Sequence, residues 1–392
     1  MPSLTVSLAS LGWDAEFQQS YAPYDRRGNV PGRVARVDRG VCTVLSASGA
    51  VRASMAGRML SRVAADPLAA PSVGDWAVVR TWDDDRRTLE AVLPRRSALV
   101  RAGAGKAAEG QAIVANADTV AVVEPLDPDP DAGRVERLAA LAYESGATPL
   151  LLLTKADAVG DPALLVADLR TAMPGADAIA VSAVTGQGLD ELGAYLGPGK
   201  TVALLGASGA GKSTLVNRLA GAEVMAVRGL RGDARGRHTT THRALIPMPH
   251  GGVVLDTPGL RTVGLFDRRP GDAAAPVDGL ARAFGDLEEL ATQCRFNDCR
   301  HDVEPGCAVV AAVADGALTA RRLENWRKLQ REQAFERSRA EARARAVQRD
   351  RERKSAGGER ALLARQRRER IRKDAEERAK ARIKERGRRR PE

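Results

Sequence analysis

The sequence predicts a multidomain chain: an N-terminal five-stranded OB-like β-barrel, a central α/β phosphate-loop domain, and a C-terminal helical domain built on a metal site and followed by a basic tail. Three observations predict it. Short β-rich runs separated by Gly, Asp and Ser turns crowd residues 31–98. Apolar strands alternate with helical segments from Ala117 to Gly264, and three of the four cysteines fall between Cys294 and Cys307. At 392 residues the chain exceeds what one core usually holds. The expected parts are an extension (1–30), the barrel (31–98), the α/β domain (99–265), the metal-binding domain (280–330) and the tail (331–392).

In the barrel the strands are expected at Arg33–Val37, Val41–Ala47, Val51–Met55, Asp75–Trp82 and Thr88–Leu93. Such a barrel offers an oligonucleotide-binding surface, and Arg95, Arg96 and Arg101 lead from it toward the next domain. A generic small barrel with no nucleic-acid role fits the same pattern.

In the α/β domain, strands at Thr119–Val123, Leu150–Leu153, Ile179–Val181, Val202–Leu205 and Val253–Leu255 interleave with helices at Val135–Ser145, Leu164–Met173 and Leu189–Leu196. Thr241–Met248 reads as an edge strand. The run Gly206, Ala207, Ser208, Gly209, Ala210, Gly211, Lys212, Ser213, Thr214 fits G-x-x-x-x-G-K-[ST] between a strand and a helix start. Its backbone N–H groups would cradle phosphate, Lys212 would neutralise the β and γ phosphates, and the Ser213 hydroxyl would reach Mg2+.

About fifty residues earlier stands Thr154-Lys155-Ala156-Asp157. Asp157 can accept two hydrogen bonds from the N1 and N2 donors of guanine, and Lys155 can lay its stem over the base. Ser182-Ala183, after another strand, suits the loop whose N–H meets guanine O6. A Ras-like domain has these motifs in the reverse order. Both work from loops at the carboxyl ends of parallel strands, so one pocket can form in either chain order if the strands keep their places. The expectation is a circularly permuted GTPase domain.

Downstream, Asp256-Thr257-Pro258-Gly259 ends a buried strand; Asp256 could hold Mg2+ through water and Gly259 offers an N–H to the γ-phosphate. Between the two lies Arg235–Arg243, placed as switch I, where one of Thr239, Thr240 or Thr241, with Thr240 the foremost candidate, would ligate Mg2+. Leu260 occupies the position of the water-orienting glutamine of Ras-type sites and cannot bind water. His238 is therefore the in-chain candidate for positioning water, beside Lys212, and intrinsic turnover should be slow. Asp256–Gly259 being nearly the last element of the domain, movement of switch II would pass directly to the segment that follows.

That segment carries Cys294-x4-Cys299-x-His301-x5-Cys307, three thiolates and an imidazole suited to one closed, structural tetrahedral Zn2+ site. Cys42, alone in a strand, reads as a packing residue. Charge is uneven: residues 321–392 hold 28 Lys and Arg against 13 Asp and Glu, so the rest of a chain with net charge +11 is at −4. The tail reads as long helix or as disorder that folds on a partner, and it suits phosphate-rich RNA or DNA. Aromatic residues are only 3%, so base stacking is not the dominant contact. No run approaches the roughly twenty apolar residues of a membrane span, and no signal-like amino terminus is present, which implies a soluble cytoplasmic protein.

The order of barrel, T-K-x-D, S-A, phosphate loop, Gly-Arg-His-Thr-Thr-Thr, Asp-Thr-Pro-Gly and Cys-Cys-His-Cys resembles the ribosome small-subunit-dependent, circularly permuted GTPases of the RsgA/YjeQ family over roughly residues 30–330. That resemblance implies a GTP hydrolase of late 30S maturation that binds 16S rRNA, is stimulated by the 30S subunit and leaves on hydrolysis. It implies GTP/GDP with Mg2+, Zn2+ on Cys294, Cys299, His301 and Cys307, and a monomer off the ribosome. The family usually has Asn where Thr154 stands, and its tail is shorter. A permuted GTPase of large-subunit assembly and a nucleotide-stabilised nucleic-acid-binding scaffold are the alternatives.

Overall fold

In the central sheet, neighbouring residues of one strand go to opposite apolar layers. Val120, Val122, Leu151, Leu153, Ala203 and Leu205 join one core, and Ala121, Val123, Leu150, Leu152, Val202 and Leu204 the other. Strands buried on both faces must be uniformly apolar, which is why these read as unbroken hydrophobic runs. The structure, a computed structural model, describes residues 7–102, 110–225, 243–257 and 278–388.

A short helix, α1 (Ala15–Tyr21), is capped by Asp14, whose carboxylate accepts the N–H groups of Glu16 and Phe17. The strands β1 (Asn29–Asp38), β2 (Val41–Ser46), β3 (Gly49–Met55), β4 (Trp76–Thr81) and β5 (Arg87–Val92) close as a barrel in the order β1-β2-β3-β5-β4, as expected. Between β3 and β4, helix α2 (Gly57–Ala65) lays Met59 into the barrel core of Val34, Cys42, Val44, Ala53, Ala77, Val79 and Leu89. Cys42 is indeed packing.

A hairpin of β6 (Ala98–Ala102) and β7 (Gly110–Ala115) follows, which the sequence pattern did not single out. Then come β8 (Thr119–Pro125), α3 (Ala132–Glu144), β9 (Thr148–Thr154), α4 (Pro162–Arg170), β10 (Asp177–Val181), α5 (Leu189–Gly193), β11 (Thr201–Gly206), α6 (Lys212–Ala220), β12 (Ala244–Pro247) and β13 (Val253–Asp256). Among the described residues six of these strands form one sheet in the order β10-β9-β8-β11-β13-β12, parallel except for the edge strand β12.

The C-terminal helices are α7 (Gly279–Ala283), α8 (Gly285–Ala291), α9 (Ala308–Ala314) and α10 (Ala320–Arg388). Gly279 packs so closely on α3 that a Cβ there would meet the Ala140 carbonyl at 2.0 Å. Residues 1–336 and 337–392 are separate compact units. The second is the charged continuation of α10, and none of its described residues joins an apolar core.

Candidate functional site

Parallel register brings the strand ends together. Val181 pairs with Thr154, Thr154 with Pro125, Gly206 with Val123, and Leu204 with Asp256. The T-K-x-D strand β9 and the phosphate-loop strand β11 are therefore separated by β8 alone, about 10 Å apart at two strand spacings. Permuted connectivity leaves the two loops as neighbours, and a side chain links them: the Thr154 hydroxyl donates to the Ala210 carbonyl at 2.7 Å.

The phosphate loop needs its glycines. A Cβ at Gly206 would lie 2.3 Å from the Val123 carbonyl, and Gly209 and Gly211 adopt φ of +86° and +82°. Helix α6 begins at Lys212, so its free N–H groups face the loop that Gly206–Gly211 encloses. The Lys212 ammonium donates to the carbonyls of Gly206 at 2.8 Å and Ala207 at 2.7 Å. Burial lowers its pKa, against the pull of Asp256. Ala207, Ser208 and Ser213 line the loop at partial or full exposure, and Thr214 is exposed on the first turn of α6.

On the base side, Lys155 takes a left-handed conformation (φ 60°) and donates to the Asp127 carbonyl at 2.5 Å. Ala156 is buried, which turns Asp157 outward to solvent on a single helical turn. The Ser182 hydroxyl accepts the N–H groups of Val184 at 3.2 Å and Thr185 at 3.0 Å, fixing the loop that contains Ala183.

Asp256 ends β13 with its Oδ1 buried and unpartnered, and burial pushes its carboxyl up to about 6 despite Lys212 nearby. An orphaned buried carboxylate oxygen beside a phosphate loop suits a hard divalent cation. Thr257 donates to the Leu204 carbonyl at 2.6 Å, anchoring the strand end. His238, Thr239, Thr240, Thr241, Gly259 and Leu260 lie outside the described residues.

The ligand atoms of Cys294, Cys299, His301 and Cys307 lie within 4.8 Å of one another. Cys294 Sγ is 3.4 Å and Cys307 Sγ 3.5 Å from His301 Nδ1, and the two sulfurs are 3.9 Å apart. These are close to the edges of a tetrahedron of thiolate and imidazole ligands about a zinc ion, roughly 3.5–3.8 Å. Three further contacts hold the ligands. Cys307 caps α9, accepting the Val310 N–H at 3.4 Å. Glu304 accepts the N–H groups of Asp302, Arg300 and Val303, bonds that draw its pKa down to about 2. His301, at φ 58°, packs on the Trp326 ring with centroids 5.4 Å apart.

Some residues that matter to the assembly were not singled out by pattern. Glu136, fully buried on α3, accepts from Arg321, Arg322 and Asn325 of α10, and Arg322 also binds Asp286 of α8. Glu124, at the end of β8, pairs with Arg134 of α3. Nothing in their local sequence marks them, because no partner is a near neighbour in the chain: Arg134 lies ten residues from Glu124, and the others are 36 or more residues apart. Arg95 and Arg96, which lead from the barrel toward the α/β domain, are engaged in ion pairs: Arg95 pairs with Asp75 at 2.7 Å and Arg96 with Asp14 at 2.5 Å.

A five-stranded OB-ordered barrel, a permuted P-loop sheet with joined base and phosphate loops, and a Cys-Cys-His-Cys cluster define a circularly permuted P-loop GTPase. A family profile described as RsgA GTPase matches residues 92–266, and one described as 50S ribosome-binding GTPase matches residues 201–332. The chain is 49% identical over 330 residues to the small ribosomal subunit biogenesis GTPase RsgA of Streptomyces coelicolor, covering 83% of this chain and 86% of that protein. It is 47% identical over 362 residues to the protein of the same name from Streptomyces avermitilis, covering 91% and 94%. Among solved structures, YjeQ from Thermotoga maritima matches with a TM-score of 0.54 at 26% identity, over 77% of this chain and 97% of that one. YloQ, titled a circularly permuted GTPase, shares the fold with a TM-score of 0.52 at 24% identity, over 79% and 96%. The chain belongs to the RsgA GTPase family and is a GTP hydrolase.

Proposed function

We propose that this GTPase acts in maturation of the small (30S) ribosomal subunit, binds 16S rRNA and is stimulated by the subunit. The observation that carries the reading is the likeness to proteins named small ribosomal subunit biogenesis GTPases across more than four-fifths of the chain. Asp157 reads the guanine edge, Lys155 covers the base and the Ser182-Ala183 loop supplies an N–H. The loop from Gly206 to Thr214 wraps the phosphates, with Lys212 turning from its own loop carbonyls to the β and γ oxygens. Ser213, Asp256 and Thr240 hold Mg2+, which when bound neutralises charge on the phosphate oxygens. Gly259 donates to the γ-phosphate, and His238 positions water where Leu260 cannot. Cys294, Cys299, His301 and Cys307 hold one structural Zn2+, an assignment supported by their mutual spacing.

The positive charge of residues 337–392 suits the phosphate backbone of rRNA. The protein is read as cytoplasmic and monomeric off the ribosome. Among the described residues no helix is long and apolar enough to cross a membrane.

The match of residues 201–332 to a 50S ribosome-binding GTPase profile favours one other reading, action on the large subunit. Comparing GTP hydrolysis by the full chain alone, with purified 30S and with purified 50S separates the two. Acceleration by 30S is the expected result; acceleration by 50S alone overturns it.

A further inference from the structure

A cavity of about 470 Å³ opens at the amino-terminal edge of the central sheet. Its wall includes Thr201, which starts β11, whereas the phosphate loop follows Gly206 at the other end of that strand. About 17 Å of extended chain separates the two places. Three parts of the chain form the wall: the N-terminal segment with Trp13 and Phe17, the barrel with Arg33 and Trp76, and the α/β domain with Lys200 and Thr201. The volume is in the range of small-molecule pockets.

Two independent features of the wall call for an anion. Arg33 is 1% exposed, yet it is held only by neutral acceptors. Its Nε donates to the Gly74 carbonyl at 3.2 Å, Nη1 to the Leu11 carbonyl and to Thr201 Oγ1 at 2.8 Å, and Nη2 to the Asn116 carbonyl at 2.7 Å. That uses four of its five N–H groups. Three carboxylates lie nearby, none of them hydrogen-bonded to Arg33: Asp75 pairs with Arg95, Asp14 on the cavity wall pairs with Arg96, and Asp118, also on the wall, accepts the Thr201 N–H at 2.8 Å. Burial lowers Arg33 to about 10 even against the pull of Asp118 and Asp75. The second feature is Trp76, whose indole N–H is buried and meets no acceptor. Buried donors are almost always paired, and a buried guanidinium without an anion is costly.

We propose that this cavity binds a small organic anion, a carboxylate or phosphate on a planar apolar body. Its head accepts from Arg33 and Trp76 with Lys200 alongside, and its body lies against Trp13 and Phe17. The bound ligand ties the N-terminal segment to the barrel and to the sheet, at a place distinct from the nucleotide pocket.

The test uses the full chain saturated with Mg2+ and GDP, so that the phosphate loop is filled. Calorimetry and tryptophan quenching follow 1-naphthoate, phenyl phosphate and the neutral 1-naphthamide. One of the two anions should bind with a Kd near or below about 1 mM, and the amide about tenfold more weakly than that anion. The tighter anion identifies the head group. Arg33→Gln should abolish binding. Because that arginine joins four segments and its loss can unfold the chain, Trp76→Phe and Lys200→Gln serve as second variants; each should weaken the anion several-fold and leave GDP affinity unchanged. The proposal is overturned if neither anion binds, if the amide binds as tightly as the tighter anion, or if both second variants bind as the parent does.

Discussion

Replacing Thr154 by valine tests whether the two nucleotide loops act as one. Thr154 is 4% exposed and Ala210 1% exposed, so no water can take over the hydroxyl's place at the Ala210 carbonyl. Valine keeps the shape, removes the donor and leaves a buried acceptor unpaired, at a cost of about 1–3 kcal/mol. Because the bond joins the base loop to the phosphate loop, that cost falls on the state in which both grip one nucleotide. At 1.4 kcal/mol per decade, GDP should bind about 5- to 150-fold more weakly. Thr154→Asn restores a donor, and Gly211, whose Cβ would come within 3.3 Å of Thr154 Oγ1, leaves it room. Titration with a fluorescent GDP analogue measures both variants, with a circular dichroism melt to show that they fold. Valine binding as tightly as threonine, or asparagine binding no better than valine, refutes the linkage.

Other outcomes follow from the same contacts. The Asp256 carboxyl is raised from 3.8 to about 6 by burial, so its contribution to stability is fully present below pH 4 and lost as pH rises through 6. The loss is up to about 3 kcal/mol. Asp256→Asn should flatten that slope in urea unfolding between pH 4 and 7 while impairing Mg2+-dependent hydrolysis; an unchanged slope contradicts the assignment. Cys307→Ala should reduce bound zinc from about one per chain toward none by elemental analysis and lower the melting temperature; a parent protein purified without zinc counts against the site. Glu136→Gln removes the charge that meets Arg321 and Arg322 and should cost about 3–5 kcal/mol in chemical denaturation; a loss under about 1 kcal/mol shows that the cluster is dispensable.

What the sequence made legible has a common physical basis. Strands buried on both faces must be apolar throughout, and a phosphate loop needs glycine where backbone crowds backbone, so both leave marks within a few residues. Gly206 is such a mark, pressed on the Val123 carbonyl. Permutation was legible because it alters only the order of motifs, while pairing of β11 with β8 and of β8 with β9 restores their positions. Arg33, Glu136 and Trp13 leave no such trace. Arg33 reads as one more strand residue, but its partners Leu11, Gly74, Asn116 and Thr201 come from four separate segments spread over about half of the chain. Trp13 lies in an extension without a motif, yet it meets the Trp76 ring edge-on with centroids 4.7 Å apart.

The same difference explains how the domains are joined. Periodicity reveals the faces that each element buries within its own layer, but polar junctions between layers are assembled from single residues far apart in sequence. Glu136 and Arg33 are two of these, one at each end of α/β packing: the first ties α3 to α8 and α10 through Arg322 and Asp286, the second ties the barrel to β11 through Thr201. Charges buried at such points require near-complete hydrogen bonding to be tolerated. Glu136 has it from cations and an amide, whereas Arg33 has only neutral acceptors. It is the second junction, next to an unpaired indole N–H and an open cavity, where an added anion would change the balance.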